Sequence, residues 1–471
     1  MRLRDLAGID SDSRVTGFAI DHRKVAPGTI FGAFRGAMFN GEDFIQAAVS
    51  AGAVAVVARP EARVEGAPHV PAEEPRREFA QLAAKFFRPF PAIAVAVTGT
   101  NGKTSNVELT RQLWRMAGHH AASIGTLGVA TADERVPTGL TTPDIVTFLA
   151  NMAGLAREGV THAAFEASSH GLAQYRIEGP KVQAAAFTNF SRDHLDYHGT
   201  MHAYFEAKMR LFSEVVAPDG AAIVWMDDPK SDEVLRRARA RGLRLLTVGT
   251  RGETLRLVER TPSQLGQRLV VEAEGKRRQV DLPLIGAYQA ANALTAAGLV
   301  VATGGDLHQT LANLARVQPV RGRLERAVIT RIGAPVYVDY AHTPDAIEAA
   351  IAALRPHARG RLIIVFGAGG DRDVGKRAEM GAAAAKLADL AIVTDDNPRS
   401  EAPSAIRRDI LLGAPGAREI PGRREAIAAA IAEAGAGDII LLAGKGHEQG
   451  QIVGDRVLPF DDVTVARECA A

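Results

Sequence analysis

The chain has 471 residues, 46% hydrophobic and 23% charged, values of an ordinary globular protein that exclude wholesale disorder, collagen and coiled coil. At roughly 150 residues per domain this length predicts about three domains, and 56 basic against 54 acidic residues, with no long basic block, argue against nucleic acid as a partner. The single cysteine, Cys469, excludes disulfide frameworks and cysteine-based zinc sites and fits a reducing cytoplasm.

The start, MRLRDLAGIDSDSR, carries Asp5, Asp10 and Asp12 where a secretory signal needs a continuous apolar core, so an export signal is not expected. The apolar runs at 51–58, 91–99 and 438–444 fall well short of the ~18 residues of a membrane span, so no membrane insertion is expected. Up to FFRPFPAIAV the chain shows short apolar runs between turn residues, and the two prolines there put a boundary near residue 90. AIAVAV then reads as a buried parallel strand, followed by GTNGKTS and the helical pattern VELTRQLWRMAGHH. THAAFEAS, VQAAAFTNF and GAAIVWMDD repeat the theme of an apolar run ending in polar residues, which predicts a mostly parallel sheet. The stretch 245–283 alternates in period two and predicts antiparallel strands or hairpins decorating that sheet. A small-residue helix at 286–304 precedes PVRGRLERA (319–327), read as a linker with a boundary near 320. The last 150 residues alternate strand and helix four times, the pattern of a doubly wound domain. The expectation is an α/β chain in three parts, 1–90, 91–320 and 321–471.

TGTNGKTS (98–105) lies between the strand AIAVAV and its following helix. There, backbone N–H groups and the positive helix terminus surround a phosphate, Lys103 reaches the terminal phosphates and Thr104 a metal. The loop Gly99, Thr100, Asn101, Gly102, Lys103, Thr104 and Ser105 is shorter than the usual pattern, with two residues between its glycines, and predicts an ATP or GTP site.

FEASSHG supplies Glu166, Ser168 and His170, and TNFSRDHLDYHG supplies Asp193, His194, Asp196 and His198, all at strand ends where ligands collect in parallel sheets. Oxygen donors with an imidazole suit Mg²⁺ held beside nucleotide phosphates. Lys208, in AYFEAKMRLF, reads on spacing alone as a solvated helix lysine passing Phe205 and Phe212. In the last domain GAGGDRD (367–373), DDNPRSE (395–401) and GKGHEQGQ (444–451) each follow a strand. Arg372, Arg399 and Glu448 suit a zwitterion pocket, because a guanidinium holds a carboxylate bidentately and a carboxylate holds an ammonium; ordinary surface salt bridges are the competing reading.

TGTNGKTS, TTPD (141–144), EASSHGLAQYR (166–176), TNFSRDHLDYHG, EAKMRLF, GRLE (322–325), VDYAHTPDA (338–346), GAGGDRDVGKR, DDNPR and GKGHE together closely resemble the Mur ligases. Within them the match is to the UDP-N-acetylmuramoyl-tripeptide synthetases known as MurE. The resemblance implies a small α/β UDP-binding N-terminal domain, a central P-loop-type ATPase domain and a Rossmann-like C-terminal domain that binds the amino acid. It implies a cytoplasmic, ATP-dependent amide ligase of peptidoglycan synthesis, expected as a monomer. The resemblance further implies that a carboxylate of UDP-MurNAc-L-Ala-D-Glu attacks the γ-phosphate and that the resulting acyl phosphate is opened by an amine.

Carried over by motif, Lys103 and Thr104 resemble the phosphate and Mg²⁺ contacts, Glu166 and His194 metal ligands, and Lys208 the lysine that is carbamylated, with Lys103, Glu166, His194 and Lys208 the catalytic set. Asn292, Arg323, Asp339 and His342 resemble the adenosine and ribose side. Thr141, Thr142, Ser168, Gln174 and Arg176 resemble contacts to the sugar-peptide, and Arg372, Asp396, Asn397, Pro398, Arg399, Gly444 and Glu448 the amino-acid pocket. The DNPR form is associated with meso-diaminopimelate, whose second carboxylate can pair with Arg399; L-lysine is the alternative amino acid. His22 stands where the family commonly has serine in D-S-R, a departure within the expected UDP contacts. The rivals are a MurF-type or folylpolyglutamate-type ligase, against which DNPR and GKGHE argue, and a nucleotide-binding protein without chemistry, against which Glu166, His194 and Lys208 argue.

Overall fold

The computed structural model describes residues 1–36, 39–263 and 266–471. Four strands, β1 (Gly17–Ala19), β2 (Thr29–Gly32), β3 (Ala53–Ala58) and β4 (His69–Pro71), form a parallel sheet in chain order. Pro75 opens the helix Pro75–Phe87, its fixed φ suiting a first-turn position. That helix buries Phe79 edge-on against Phe18 and Phe34, ring centroids 5.2 and 5.4 Å apart. The same apolar core runs past residue 90 into Phe148, Leu149 and Met152 of the helix Ile145–Arg157.

The central sheet collects β5 (Ile93–Thr98), β6 (Ala121–Gly125), β7 (Gly128–Ala130), β8 (Arg135–Val136), β9 (His162–Glu166), β10 (Val182–Phe187), β11 (Val216–Trp225), β12 (Arg244–Gly249), β13 (Leu255–Ser263), β14 (Gly266–Ala273) and β15 (Lys276–Leu282). Their order is β15-β14-β13-β12-β11-β10-β5-β9-β6-β7-β8, and the block from β12 to β6 is parallel. Both faces of β5 are covered, which is why its sequence is a continuous apolar run. Ala94 and Ala96 point into the core shared with Phe148 and Phe165, and Val95 and Val97 into a second core with Leu109, Leu113 and Ala293.

Two expectations are corrected here. In the stretch 245–283, β12 is a parallel member of the sheet, and β13 to β15 extend it as an antiparallel meander instead of decorating it; residues 264–265 lie outside the described residues. Period-two alternation reports one buried face and carries no information on a neighbour's direction. PVRGRLERA is not a plain linker. Val320, Leu324 and Ala327 are buried, and the chain turns at Gly322 (φ +66°) into a paired strand, β16 (Glu325–Ile329).

β16 runs antiparallel to β17 (Pro335–Asp339). With β18 (Leu362–Phe366), β19 (Leu390–Val393), β20 (Arg418–Glu419) and β21 (Ile439–Ala443) they form a sheet of order β16-β17-β21-β18-β19-β20, parallel from β17 onward. A hairpin, β22 (Gly450–Val453) and β23 (Arg456–Pro459), follows. The carboxyl ends of the central and final parallel sheets open onto a common gap lined by the polar loops that follow them, the place where open α/β sheets bind ligands. Among the described residues no helix is long and apolar enough to cross a membrane.

Phe148 is fully buried, with its ring 5.1 Å from that of Phe165. Phe148→Ala is expected to remove about 3–5 kcal/mol of stability, read as a lower midpoint in chemical denaturation.

Candidate active site

β5 ends at Thr98, and Gly99 (φ +144°) and Gly102 (φ +86°) turn the chain into the helix Lys103–Met116. Gly99 cannot be larger, since a Cβ there would collide with the Thr188 hydroxyl oxygen. The end of β10 braces the loop: Asn101 N–H donates to Asn189 Oδ1 (2.8 Å) and Thr188 Oγ1 donates to the Asn101 carbonyl (2.6 Å). The Gly99 carbonyl oxygen accepts from two lysine side chains, Lys103 Nζ at 2.9 Å and Lys208 Nζ at 2.8 Å.

Lys208 therefore contradicts the reading from its spacing. It is 1% exposed, on the inward face of the helix Met201–Arg210 with Tyr204, Phe205 and Met209, its Nζ 4.3 Å from the Tyr204 ring centroid. Burial, then the neighbouring Lys103, holds its pKa well below the ordinary lysine value, and burial likewise lowers that of Lys103. The sequence pattern marks Lys208 as one of several residues on a helix; only the docking of that helix under the phosphate loop distinguishes it.

Glu166, at the end of β9 and 2% exposed, accepts from Thr126 N–H (2.7 Å) and Thr126 Oγ1 (3.2 Å). Thr104 Oγ1 accepts from Arg323 Nη2 (3.0 Å). His194 has φ +53°, and its Nε2 lies 3.5 Å from Asp193 Oδ2. Burial pushes the His194 pKa down to about 3, so the imidazole is neutral and the contact is not an ion pair at neutral pH. Burial alone would raise the Asp193 pKa, but His194, His342 and Lys376 hold it well below the carboxylate range.

Among the described residues no group of three or more His, Cys, Asp or Glu converges as a closed metal cage. The donors that do face the phosphate loop, the Thr104 hydroxyl, the Glu166 carboxylate and the neutral His194 ring, fit a hard cation that completes its shell with phosphate oxygens and water.

A cavity of about 480 Å³ begins at this loop and runs over Asn292, Arg323, Asp339 and His342. Asn292 Oδ1 accepts from Asn106 Nδ2 (3.0 Å). Asp339 Oδ2 accepts from Leu324 N–H (2.7 Å) and Tyr288 Oη (3.3 Å), and burial raises its pKa to about 6. Burial lowers that of His342 to about 4, and its Nδ1 sits 2.8 Å from the Tyr340 carbonyl.

A second cavity of about 400 Å³ is lined by Thr142, His170 and Arg176 on one side and by Arg372, Asp396, Asn397, Arg399, Gly444 and Glu448 on the other. Arg372 is exposed to it, while Arg399 (φ +52°) donates from Nη1 to the Gly370 carbonyl (2.7 Å). Thr141, Ser168, Asp193, His194, Tyr340 and His342 line both cavities, so the two open into one another.

The structure thus gathers most residues expected from the sequence. Gly99, Gln174, His198, Pro398 and His22 line neither cavity. Gln174 bridges Tyr197 Oη (2.9 Å) and Arg176, and His22 stacks on Phe44 at 4.4 Å in the N-terminal sheet's loops. Sequence reasoning missed Thr126, Asn189, Asp228, Tyr288, Tyr340 and Lys376, which line the cavities. Asp228 was within reach, because WMDD ends a strand; Lys376 was not, since its approach to Asp193 (Nζ to Oδ1, 3.9 Å) joins two sheets.

The chain matches family models described as the Mur ligase family catalytic domain over residues 14–111, the Mur ligase middle domain over 97–300 and the Mur ligase glutamate ligase domain over 322–446. It is 60% identical to the UDP-N-acetylmuramoyl-L-alanyl-D-glutamate–2,6-diaminopimelate ligase of Zymomonas mobilis subsp. mobilis, covering 98% of this chain and 95% of the relative. It is 52% identical to the ligase of the same name from Bradyrhizobium diazoefficiens, covering 98% and 97%. A solved structure of a ligase with that name superposes with a TM-score of 0.73 at 33% identity, covering 100% of this chain and 98% of that one. The MurF ligase of Thermotoga maritima in complex with ADP shares the fold, with a TM-score of 0.63 at 20% identity over 97% of each chain.

Gly99→Ala is expected to weaken nucleotide binding by about 5- to 150-fold, since the clash and the left-handed φ displace the loop at a cost of about 1–3 kcal/mol. Titration with ADP followed by calorimetry measures it.

Proposed function

The chain belongs to the Mur ligase family, and from that premise we propose that it joins meso-2,6-diaminopimelate to UDP-N-acetylmuramoyl-L-alanyl-D-glutamate in an ATP-dependent amide ligation of peptidoglycan precursor synthesis. The observation that carries this reading is the shared wall of the two cavities: a phosphate-loop pocket and an arginine-lined pocket meet at Thr141, Ser168, Asp193, His194, Tyr340 and His342. A ligase that makes an activated acid in one place and delivers an amine from another needs that junction. Residues 1–90, 91–320 and 321–471 would then bring the UDP end, ATP and the amino acid respectively. The cytoplasm, where ATP is available and the lone Cys469 stays reduced, is the fitting compartment, and a monomer suffices because one chain supplies both pockets.

In the first step the substrate carboxylate oxygen attacks the γ-phosphorus of ATP, the bond to the β-phosphate oxygen breaks, and an acyl phosphate and ADP result. The loop N–H groups, the start of the helix Lys103–Met116 and Lys103 hold the phosphates against the charge that develops. Thr104, Glu166 and His194 would hold a Mg²⁺ ion, which would supply further charge neutralisation beside the phosphates. In the second step the amine attacks the acyl carbon, a tetrahedral intermediate forms, phosphate leaves and the amine gives up a proton. Arg372 and Arg399 suit the two carboxylates of diaminopimelate and Glu448 an ammonium. No protein nucleophile is required at either step. The contribution is orientation and charge.

Lys208 fits the role of a carbamylated lysine: burial and the neighbouring Lys103 favour its neutral amine, which adds to CO₂, forming an N–C bond and losing a proton, and the product is an anionic oxygen donor facing the loop beside Lys103. Lys208→Ala is expected to abolish turnover, with partial recovery on adding a short carboxylate such as acetate; full activity in the variant, measured by phosphate release, removes the carbamate from the mechanism. The amino-acid assignment is tested with ATP, Mg²⁺ and UDP-MurNAc-L-Ala-D-Glu present. Amide product should form with meso-diaminopimelate, and faster turnover with L-lysine overturns the assignment.

A further inference from the structure

Lys445 lies between Gly444 (φ +107°) and Gly446 (φ +55°) at the end of β21 and has no exposed surface. Its Nζ donates to Gly450 O (2.6 Å), Asn397 Oδ1 (3.2 Å) and Glu448 Oε2 (3.2 Å), which uses all three donors of an ammonium. Asn397 is oriented by the same set: its Oδ1 also accepts from Ile452 N–H (2.9 Å), so its Nδ2 faces Glu448 Oε2 and donates at 2.7 Å. One oxygen of Glu448 thus carries both contacts, while the side chain keeps 29% of its surface and lines the second cavity. Lys445 itself does not line that cavity.

Resting on the reading of the second cavity as the amino-acid pocket, we propose that Lys445 is a positioning residue: it holds Glu448 as a carboxylate with Oε1 directed to the cavity, where that oxygen takes an ammonium group of the incoming amino acid. The need for such a partner is visible in the surroundings. Burial and the nearby Asp396 carboxylate raise the Glu448 pKa, and Lys445 and Asn397 oppose them. Arg423, which is buried and committed to Asp462 at 2.6 and 2.7 Å, and the buried Tyr340 also face Glu448, and Arg372, Lys376 and Arg399 line the same cavity without contacting it. Among the described residues, Lys445 is therefore the cation in direct contact with Glu448. A buried ion pair is weak ground for stability, so its retention beside a ligand pocket calls for another role.

The test compares wild type, Lys445→Met, Lys445→Arg and Glu448→Gln by steady-state kinetics between pH 6 and 9, varying meso-diaminopimelate and ATP separately. Lys445→Met is expected to raise the KM for diaminopimelate about tenfold or more, the loss of one charge-assisted hydrogen bond, while the KM for ATP stays within about twofold. The acid limb of kcat/KM for diaminopimelate should move to higher pH, because Glu448 without its cation takes up a proton more readily. Lys445→Arg, which keeps the charge, should recover part of the affinity. An unchanged KM and acid limb in Lys445→Met, with Glu448→Gln impaired, overturns the proposal and leaves Lys445 a scaffold. A KM for ATP that rises equally also overturns it, by showing general damage. If Glu448→Gln itself binds diaminopimelate normally, the amino-acid reading of the cavity fails instead.

Discussion

Two lysine side chains share one backbone oxygen, and much of the central architecture follows from that arrangement. Lys103 and Lys208 both donate to the Gly99 carbonyl, one from the helix that follows the phosphate loop and one from a helix more than a hundred residues later. Burial lowers both pKa values, and the neighbouring Lys103 lowers that of Lys208 further. The arrangement is relieved by anions, and nucleotide phosphates are the anions the loop is shaped to hold. Gly99 has to be glycine, β10 has to end beside β5 so that Thr188 and Asn189 brace the loop, and the helix Met201–Arg210 has to dock underneath.

The final sheet solves a different problem, how to hold the loops of the second cavity still. Three buried arginines do this from helices behind the loops. Arg377 binds Glu401 and Asp409, Arg407 binds Asp395 and Glu419, and Arg423 forms a bidentate pair with Asp462 and donates to the Ala443 carbonyl. Each guanidinium ties a pocket loop to an element distant in the chain. The fork geometry of arginine allows this, where a lysine would make a single-point contact.

The two sheets meet at a polar seam, with Lys376 close to Asp193 and Arg192 to Asp373 (3.5 Å) and Glu379 (3.3 Å). Exposed pairs such as those of Arg192 contribute little stability. A seam held by weak contacts suits an enzyme that has to admit an amino acid and release a larger product between the same walls.

The sequence by itself determined the elements whose information is local. A continuous apolar run, two glycines and Lys-Thr at a helix start specify a phosphate loop, because strand burial, positive φ and helix-terminus charge act within eight residues. The residue types of the second pocket were legible for the same reason, since each of its loops directly follows an apolar strand. The antiparallel strands after residue 255 were legible, but the parallel placement of β12 and the packing of 319–327 were not, because alternation encodes a buried face and says nothing of the partner. Only the tertiary structure decided that Lys208 lies under Gly99, that Lys445 holds Glu448 and Asn397 together, and that six residues line both cavities. Those facts depend on which helix packs under which strand end, and a lysine's charge state and role follow from the neighbours and burial that packing supplies.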